Sequence, residues 1–73
     1  MTEELERLFI ENMEKEAIVV STSGERFQGR LYPVDEEESD CGKDCIEIWT
    51  DEVFYEVPED EVKDIIPLER HKQ

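Results

Sequence analysis

The sequence predicts a mainly β domain in which one N-terminal helix precedes a small barrel of five strands. Three features predict this fold class: an apolar stripe at helical spacing near the N-terminus, five later segments rich in alternating or β-branched apolar residues, and a glycine inside the second segment. Leu, Ile, Val and Phe account for 19 of the 73 residues, which exceeds the roughly 20% typical of highly charged disordered chains. We therefore expect a single folded domain over residues 1–73.

The helix is predicted over residues 3–15. Its apolar residues lie three and four positions apart, as one buried helix face requires, and they are Leu5, Leu8, Phe9 and Met13. Glu3 and Glu4 fall in the first turn, where acidic side chains complement the positive end of the helix dipole. Both observations favour an amphipathic helix that packs on the rest of the domain.

Five strands are predicted to follow, and their approximate bounds are residues 17–22, 25–32, 45–50, 53–57 and 62–68. Ser23 and Gly24 form a turn signal between the first two strands, and Pro33 is expected to end the second. Asp51 and Glu52 indicate a tight hairpin between the third and fourth. Short strands at this spacing bury their apolar faces most simply by closing into a barrel.

Two connections have distinct compositions. Residues 35–44 are densely charged and lack apolar periodicity, so they are expected to form an acidic loop. Residues 58–61 begin with a proline, which suits the first turn of a helix, and predict one helical turn before the last strand.

The second strand indicates how the sheet bends. Phe27, Gly29 and Leu31 alternate with the polar set, so they share one face. The polar face is made of Arg26, Gln28, Arg30 and Tyr32. A glycine inside a strand marks a sharp bend or a close approach of another backbone, which a closing barrel requires.

Trp49 and Tyr55 lie beside or among the apolar positions of the third and fourth strands. Packing in the core or against the helix is the interpretation favoured for a domain this small. The alternative is that one or both are exposed anchors of a protein interface.

Charge limits the classes of partner. The chain has 22 acidic and 8 basic residues, a formal charge of -14, and residues 35–64 alone carry 14 acids and 2 bases, a net of -12. Such a surface repels nucleic acids and anionic membranes and attracts basic proteins. No apolar run approaches the roughly 18 residues of a membrane helix, so no membrane contact is expected. The acidic start lacks the basic region of a signal peptide, which predicts a cytoplasmic protein.

A short motif resembles the first motif of the Sm-like small-barrel family, whose barrel is SH3-like. The motif begins with Gly24 and continues, after a gap of four residues, with Gly29, Arg30 and Leu31. After a gap of two further residues it ends with Val34 and Asp35. The order of the helix and strands is also similar, and the resemblance implies a ring-forming protein that binds RNA. The sequence departs from the family at two places: Glu36 follows Asp35 where an Asn is expected, and the segment 55–60 lacks the Arg-Gly of the second motif. These departures put the RNA site in doubt.

The sequence contains few residues suited to metal binding, redox chemistry or catalysis. Cys41 and Cys45 are the only cysteines, and they suit a reducing compartment. A zinc ion needs four ligands, so one chain would have to add His71, Asp40 or Asp44 to the pair, or a dimer would have to donate two pairs. A reversible disulfide and two unmodified thiols are the alternatives, and no metal or other cofactor is predicted. The carboxylates form no recognisable acid and base pair, so neither catalytic residues nor an enzymatic activity is expected.

The leading hypothesis is a non-catalytic module that binds a basic protein surface, in a sharper version by imitating the charge of a nucleic acid. The predicted interaction surface consists of Glu36, Glu37, Glu38, Asp40, Trp49, Asp51, Glu52 and Tyr55. The alternative is a degenerate Sm-like RNA-binding protein that forms a homo-oligomer and uses Arg26, Arg30 and Tyr32.

Overall fold

The computed structural model describes residues 1–68, so the last five residues of the predicted domain, including His71, lie outside the described residues. The chain forms one α-helix, five strands and a short 3-10 helix. In order, these are α1 (Glu3–Glu11), β1 (Glu16–Ser21), β2 (Arg26–Val34), β3 (Cys45–Trp49), β4 (Phe54–Pro58), η1 (Glu59–Glu61) and β5 (Val62–Pro67). The predicted mainly β class, with one N-terminal helix and five strands, is confirmed.

All five strands belong to one antiparallel sheet with the order β4-β3-β2-β1-β5. The predicted closure into a barrel is not seen within residues 1–68, because β4 and β5 remain separate edges of the sheet. The sheet is nevertheless curved enough for Phe27 of β2 to reach Tyr55 of β4, with 5.0 Å between the ring centroids. Side chains and α1 therefore cover the inner face of the sheet. Its burial does not require β4 and β5 to pair and close a barrel.

The long strand β2 joins the two halves of the sheet. Its first half, Arg26 to Arg30, pairs with β1, and its second half, Arg30 to Val34, pairs with β3. At the junction, a Cβ atom on Gly29 would lie 2.8 Å from Cγ2 of Ile48 and closer still to the carbonyl oxygen of Trp49. The predicted close approach of another backbone at Gly29 is confirmed, since only a residue without a side chain fits there.

The prediction that Pro33 ends the second strand is wrong, since β2 continues to Val34 and Pro33 pairs with Ile46. Both backbone groups of Leu31 bond to the segment before β1: its N–H donates to the Lys15 carbonyl (3.2 Å), and its carbonyl accepts from the Glu14 N–H (2.7 Å). Pro33, two residues on, therefore turns its nitrogen to the same side, away from β3. A proline is tolerated where its nitrogen faces no pairing strand.

Helix α1 is shorter than the predicted range of residues 3–15. The Thr2 hydroxyl caps its start by accepting from the Leu5 N–H (3.2 Å). At the other end, the Asn12 side-chain amide donates to the Leu8 carbonyl (2.9 Å), and Glu14 has a positive φ of 64° that a helix cannot continue through. Met13 leaves the helix and forms a parallel bridge with Leu31, so it keeps its predicted apolar contact from outside the helix.

The core lies between α1 and the inner face of the sheet. Its buried members are Phe9, Ala17, Val19, Leu31, Ile46, Ile48, Val57, Val62 and Ile65. Leu5, Leu8, Met13 and Phe27 pack against this cluster while partly exposed. Within residues 1–68 the longest helix is α1, and its nine residues are fewer than a membrane-spanning helix needs.

The other boundaries differ from the predictions by at most one residue, and the single helical turn after Pro58 is present as η1. Residues 35–44 contain no helix or strand, in agreement with the predicted loop. Thr50 closes the hairpin between β3 and β4: its hydroxyl donates to the Val53 carbonyl (2.8 Å) and accepts from the Glu52 and Val53 N–H groups.

Replacement of Gly29 by alanine tests the junction in β2. The added methyl group would collide with the Trp49 backbone and with Cγ2 of the fully buried Ile48, so we expect Gly29→Ala to lower the free energy of unfolding by about 1–3 kcal/mol. Urea denaturation followed by circular dichroism measures the change. Gln28→Ala, at the exposed neighbouring position, is the control and should stay within about 0.5 kcal/mol. An equal loss in the two variants would contradict the close-packing explanation.

Candidate functional site

The outer face of the sheet, opposite α1, carries three rows of paired side chains from β2, β3 and β4. Strand pairing places Val34, Cys45 and Pro58 in one row, and Tyr32, Glu47 and Glu56 in the next. The last row is Arg30, Trp49 and Phe54. Because successive side chains alternate between faces, all nine share the face that the core does not use.

Aromatic rings form a continuous exposed cluster on this face, which we call the aromatic patch (Tyr32, Trp49 and Phe54). The Trp49 and Phe54 rings are stacked with centroids 5.0 Å apart, and Tyr32 meets Trp49 edge to face at 6.1 Å. Trp49 is 47% exposed and Phe54 is 50% exposed. Clustered rings that remain in water are characteristic of binding surfaces, because their apolar area is left for a partner to bury.

A carboxylate borders the aromatic patch. The Trp49 indole N–H donates to Oε1 of Glu47 at 2.8 Å, which ties this carboxylate to the ring. Tyr32, Glu47 and Trp49 together line a depression of about 300 Å³. Two aromatic rings and one carboxylate provide cation–π and ionic contacts at once, the combination that a guanidinium or ammonium group binds.

The structure does not bring the predicted interaction surface together as one patch. Its acids in the first part of the loop, Glu36 to Asp40, are exposed at one end of β3, whereas Asp51 and Glu52 are exposed in the hairpin at the opposite end. Trp49 lies beside that hairpin on the outer face. Tyr55 lies on the inner face, where its ring packs against Phe27 although 42% of the residue is exposed.

Hydrogen bonds within the acidic loop and from the loop to the first residue of η1 form an acidic end of the molecule. The Glu36 N–H donates to Oδ1 of Asp44 (2.9 Å), and the Glu59 N–H donates to the Asp44 carbonyl (2.9 Å). The acids of this end are Asp35, Glu36, Glu37, Glu38, Asp40, Asp44, Glu59, Asp60 and Glu61. Lys43 is the one base in this group of segments, and its ammonium lies 3.3 Å from Asp60 in an exposed ion pair.

The predicted RNA face lies on the outer side of β2. Arg26 and Arg30 are exposed, and Tyr32 is half-buried. Arg30 and Tyr32 line an open cleft of about 430 Å³ with Trp49, and Glu16 and Asp51 border the same cleft. Arg26 lies beside a separate depression with Phe27 and Tyr55. The arginines are therefore accessible, but acidic side chains flank the larger cleft.

The two cysteines meet under the acidic loop. Cys45 begins β3 on the outer face and is fully buried, since the loop folds over it. Its Sγ lies 3.2 Å from Sγ of Cys41, and its thiol donates to the Lys43 carbonyl at 3.2 Å. The Ser39 hydroxyl donates to that same carbonyl (2.6 Å) and accepts from the Lys43 N–H (3.0 Å), which closes the loop around the thiols.

Glu56 of β4 joins this pair. One ligand atom from each of Cys41, Cys45 and Glu56 lies within 4.8 Å of the other two, and we call these residues the thiol cluster. The Asp40 N–H donates to Oε1 of Glu56 at 3.2 Å, which holds the carboxylate against the loop. Of the two acids that the sequence suggested as partners of the cysteines, Asp44 accepts from the Glu36 N–H with its carboxylate, and Asp40 contacts Glu56 through its backbone N–H.

The two thiols differ in acidity. The hydrogen bond between the two side chains lowers the pKa of Cys41, which is exposed. Burial raises the pKa of Cys45 to about 12, and the hydrogen bond with Cys41 acts in the same direction. Cys41 is therefore the residue that ionises first, and its thiolate is stabilised by the neighbouring Cys45 thiol.

Sequence reasoning missed three residues of these sites: Phe54, Glu47 and Glu56. Alternation alone places Phe54 and Glu56 opposite Val53, Tyr55 and Val57, so their shared face was available from the sequence. The residues that pair with them across the strands could not be predicted, because the register between strands depends on the hairpin that Thr50 closes.

Comparison with known proteins identified no relative: no family model matches the sequence, no curated protein shows significant sequence similarity, and no solved structure shows significant structural similarity.

Alkylation tests the different environments of the thiols. With iodoacetamide at mildly alkaline pH, we expect Cys41 to react at least about ten times faster than Cys45, because Cys41 is exposed and more acidic. Peptide mass spectrometry measures the modified fraction at each cysteine. In urea the two should react at similar rates. Equal rates in the folded protein would show that the loop does not cover Cys45.

Proposed function

We propose that this protein is a non-catalytic binding module that recognises an arginine- or lysine-bearing segment of another protein. The depression between Tyr32, Trp49 and Glu47 carries the proposal. It offers two ring surfaces and a carboxylate to one cationic side chain, and Phe54 extends the apolar surface alongside.

Charge around the aromatic patch supports a basic partner. Asp51 and Glu52 lie in the adjoining hairpin, and the chain as a whole carries a formal charge of -14. A field of this sign accelerates the approach of a basic segment, whereas the desolvated rings supply most of the affinity. Val53, which is 51% exposed beside the patch, adds apolar area for the partner to bury.

The sharper version of this proposal is nucleic-acid mimicry, in which the acidic end occupies the DNA- or RNA-binding surface of a partner. Glu36, Glu37 and Glu38 are consecutive and exposed, and the acids of η1 lie close by. Duplex DNA presents about one charge per 1.7 Å of its axis, so a row of closely spaced carboxylates is the feature such a partner would bind.

The second candidate is the Sm-like RNA-binding oligomer. The motif from Gly24 to Asp35 and the accessible Arg26 and Arg30 support it. Glu16 and Asp51 beside the cleft oppose it, since carboxylates repel the phosphates of RNA.

Loss of the Trp49 ring tests the aromatic patch. The probe is a short fluorescently labelled peptide of alternating arginine and glycine, and anisotropy reports its binding. We expect Trp49→Ala to weaken binding about tenfold, because a stacked aromatic anchor is removed. Ile10→Ala is the control, since Ile10 is 61% exposed on α1, outside the patch.

Two further titrations decide between the candidates. A peptide of the same length with neutral citrulline for arginine should not bind, and binding equal to that of the arginine peptide would eliminate recognition of a cation. A single-stranded RNA oligonucleotide replaces the peptide in the second titration. RNA binding that Arg26→Ala and Arg30→Ala abolish, together with a ring mass in light scattering, would replace the first proposal with the second.

Charge reversal tests the acidic end separately. We expect combined replacement of Glu36, Glu37 and Glu38 by lysine to weaken binding of the arginine peptide and to reduce its salt dependence, because three attractive charges become repulsive. The control reverses Glu4, Glu11 and Glu25, three exposed acids outside the acidic end, and so makes the same change in net charge. Equal effects in the two variants would eliminate nucleic-acid mimicry by this loop and leave only a general effect of charge.

A further inference from the structure

The thiol cluster is a second site, separate in chemistry from the aromatic patch. Cys41, Cys45 and Glu56 come from the acidic loop, the start of β3 and the middle of β4. Three segments distant in sequence therefore place two sulfur atoms and a carboxylate within 4.8 Å of one another. We propose that these three residues bind one zinc ion.

The distance between the sulfur atoms fits a shared metal better than a disulfide bond. Two sulfurs at about 2.3 Å from a tetrahedral zinc ion are roughly 3.8 Å apart, whereas a disulfide bond is about 2.0 Å long. The observed separation of 3.2 Å is closer to the metal-bound value. Cys45 is anchored in β3, so the exposed Cys41 is the residue that moves by the remaining fraction of an ångström.

Glu56 distinguishes a metal site from a redox pair. A carboxylate beside two thiols supplies a third ligand atom within 4.8 Å, which a disulfide bond between the thiols would not use. A zinc ion is attracted by all three groups at once. The Asp40 N–H holds the Glu56 carboxylate at 3.2 Å, so the loop that supplies Cys41 also positions the third ligand.

The binding step is an exchange of protons for metal. Each S–H bond of Cys41 and Cys45 breaks as a Zn–S bond forms, two protons pass to the buffer, and the Glu56 carboxylate donates an oxygen to the ion. Three anionic ligands and a divalent ion leave one net negative charge. The Cys45 thiol loses its hydrogen bond to the Lys43 carbonyl, which retains the Ser39 hydroxyl as its donor. Three protein ligands leave the fourth tetrahedral position to a water molecule.

This site does not depend on the proposed peptide binding. The two sites share no residue, since none of Cys41, Cys45 and Glu56 lines the depression between Tyr32, Glu47 and Trp49, although Glu56 pairs with Glu47. Failure of one proposal therefore leaves the other intact.

Cobalt(II) is the probe, because it takes the place of zinc in tetrahedral sites and its thiolate complexes absorb light. The full chain is kept reduced with a phosphine, and two free thiols are first confirmed by titration. We expect one cobalt ion per chain, a thiolate-to-cobalt charge-transfer band, tetrahedral ligand-field absorption, and loss of both on addition of zinc.

Three variants assign the ligands. Cys41→Ser should lower the charge-transfer absorption by about half, since one of two Co–S bonds is lost. Glu56→Gln should keep the charge-transfer band and weaken cobalt binding at least about tenfold. Glu11→Gln is the control, since it removes the same charge from an exposed position on α1, away from the cluster, and should leave the affinity unchanged. Circular dichroism verifies that each variant is folded.

Three results would overturn the proposal. The first is a reduced, folded chain that shows no charge-transfer band with cobalt. The second is equal weakening by Glu56→Gln and Glu11→Gln, which would reduce the role of Glu56 to general charge. The third is one metal per two chains, which would assign the cysteines to a site shared between copies.

Discussion

The structure depends on the exchange of partners along β2. One strand pairs with β1 through its first half and with β3 through its second, and the two halves meet at Gly29. The absence of a side chain there lets β2 approach the Trp49 carbonyl and the Ile48 side chain. A sheet curved in this way encloses the core with α1 on one face and leaves the opposite face of β2, β3 and β4 in water.

That outer face explains why two large aromatic residues, Trp49 and Phe54, remain exposed. The core is filled by aliphatic side chains of all five strands together with Phe9, and Trp49 and Phe54 point away from it. Their stacking reduces the exposed area of each ring but does not remove it. Both edge strands contain residues that disfavour pairing with another chain. Pro58 ends β4, and β5 contains charged residues and Pro67. The faces, and not the edges, are therefore the surfaces suited to a partner.

The contacts that fix the conformation of the acidic loop also assemble the thiol cluster. The carboxylates of the loop repel one another, so a fixed conformation requires specific contacts, and the Asp44 carboxylate and the Ser39 hydroxyl provide them. The same contacts fold the loop over Cys45 and bring Cys41 and Glu56 together. A divalent cation at that point would offset part of the local negative charge and join the loop to β3 and β4. The negative charge that would attract the proposed basic partner would thus also stabilise the proposed metal ion.

The sequence by itself determined the mainly β class, the helix, the number of strands and the need for glycine at position 29. These features follow from short-range periodicity, since the residues that form each apolar face lie within one short segment of the sequence. Only the tertiary structure decided where α1 ends, because Met13 forms a bridge with Leu31 of β2. It also decided where β2 ends, because the nitrogen of Pro33 faces a side of the strand that has no pairing partner. It also decided that the sheet stays open, that the predicted acids and aromatics occupy separate surfaces, and that Glu56 reaches the two cysteines. Each of these depends on strand register and curvature, which are set by contacts between residues far apart in the sequence.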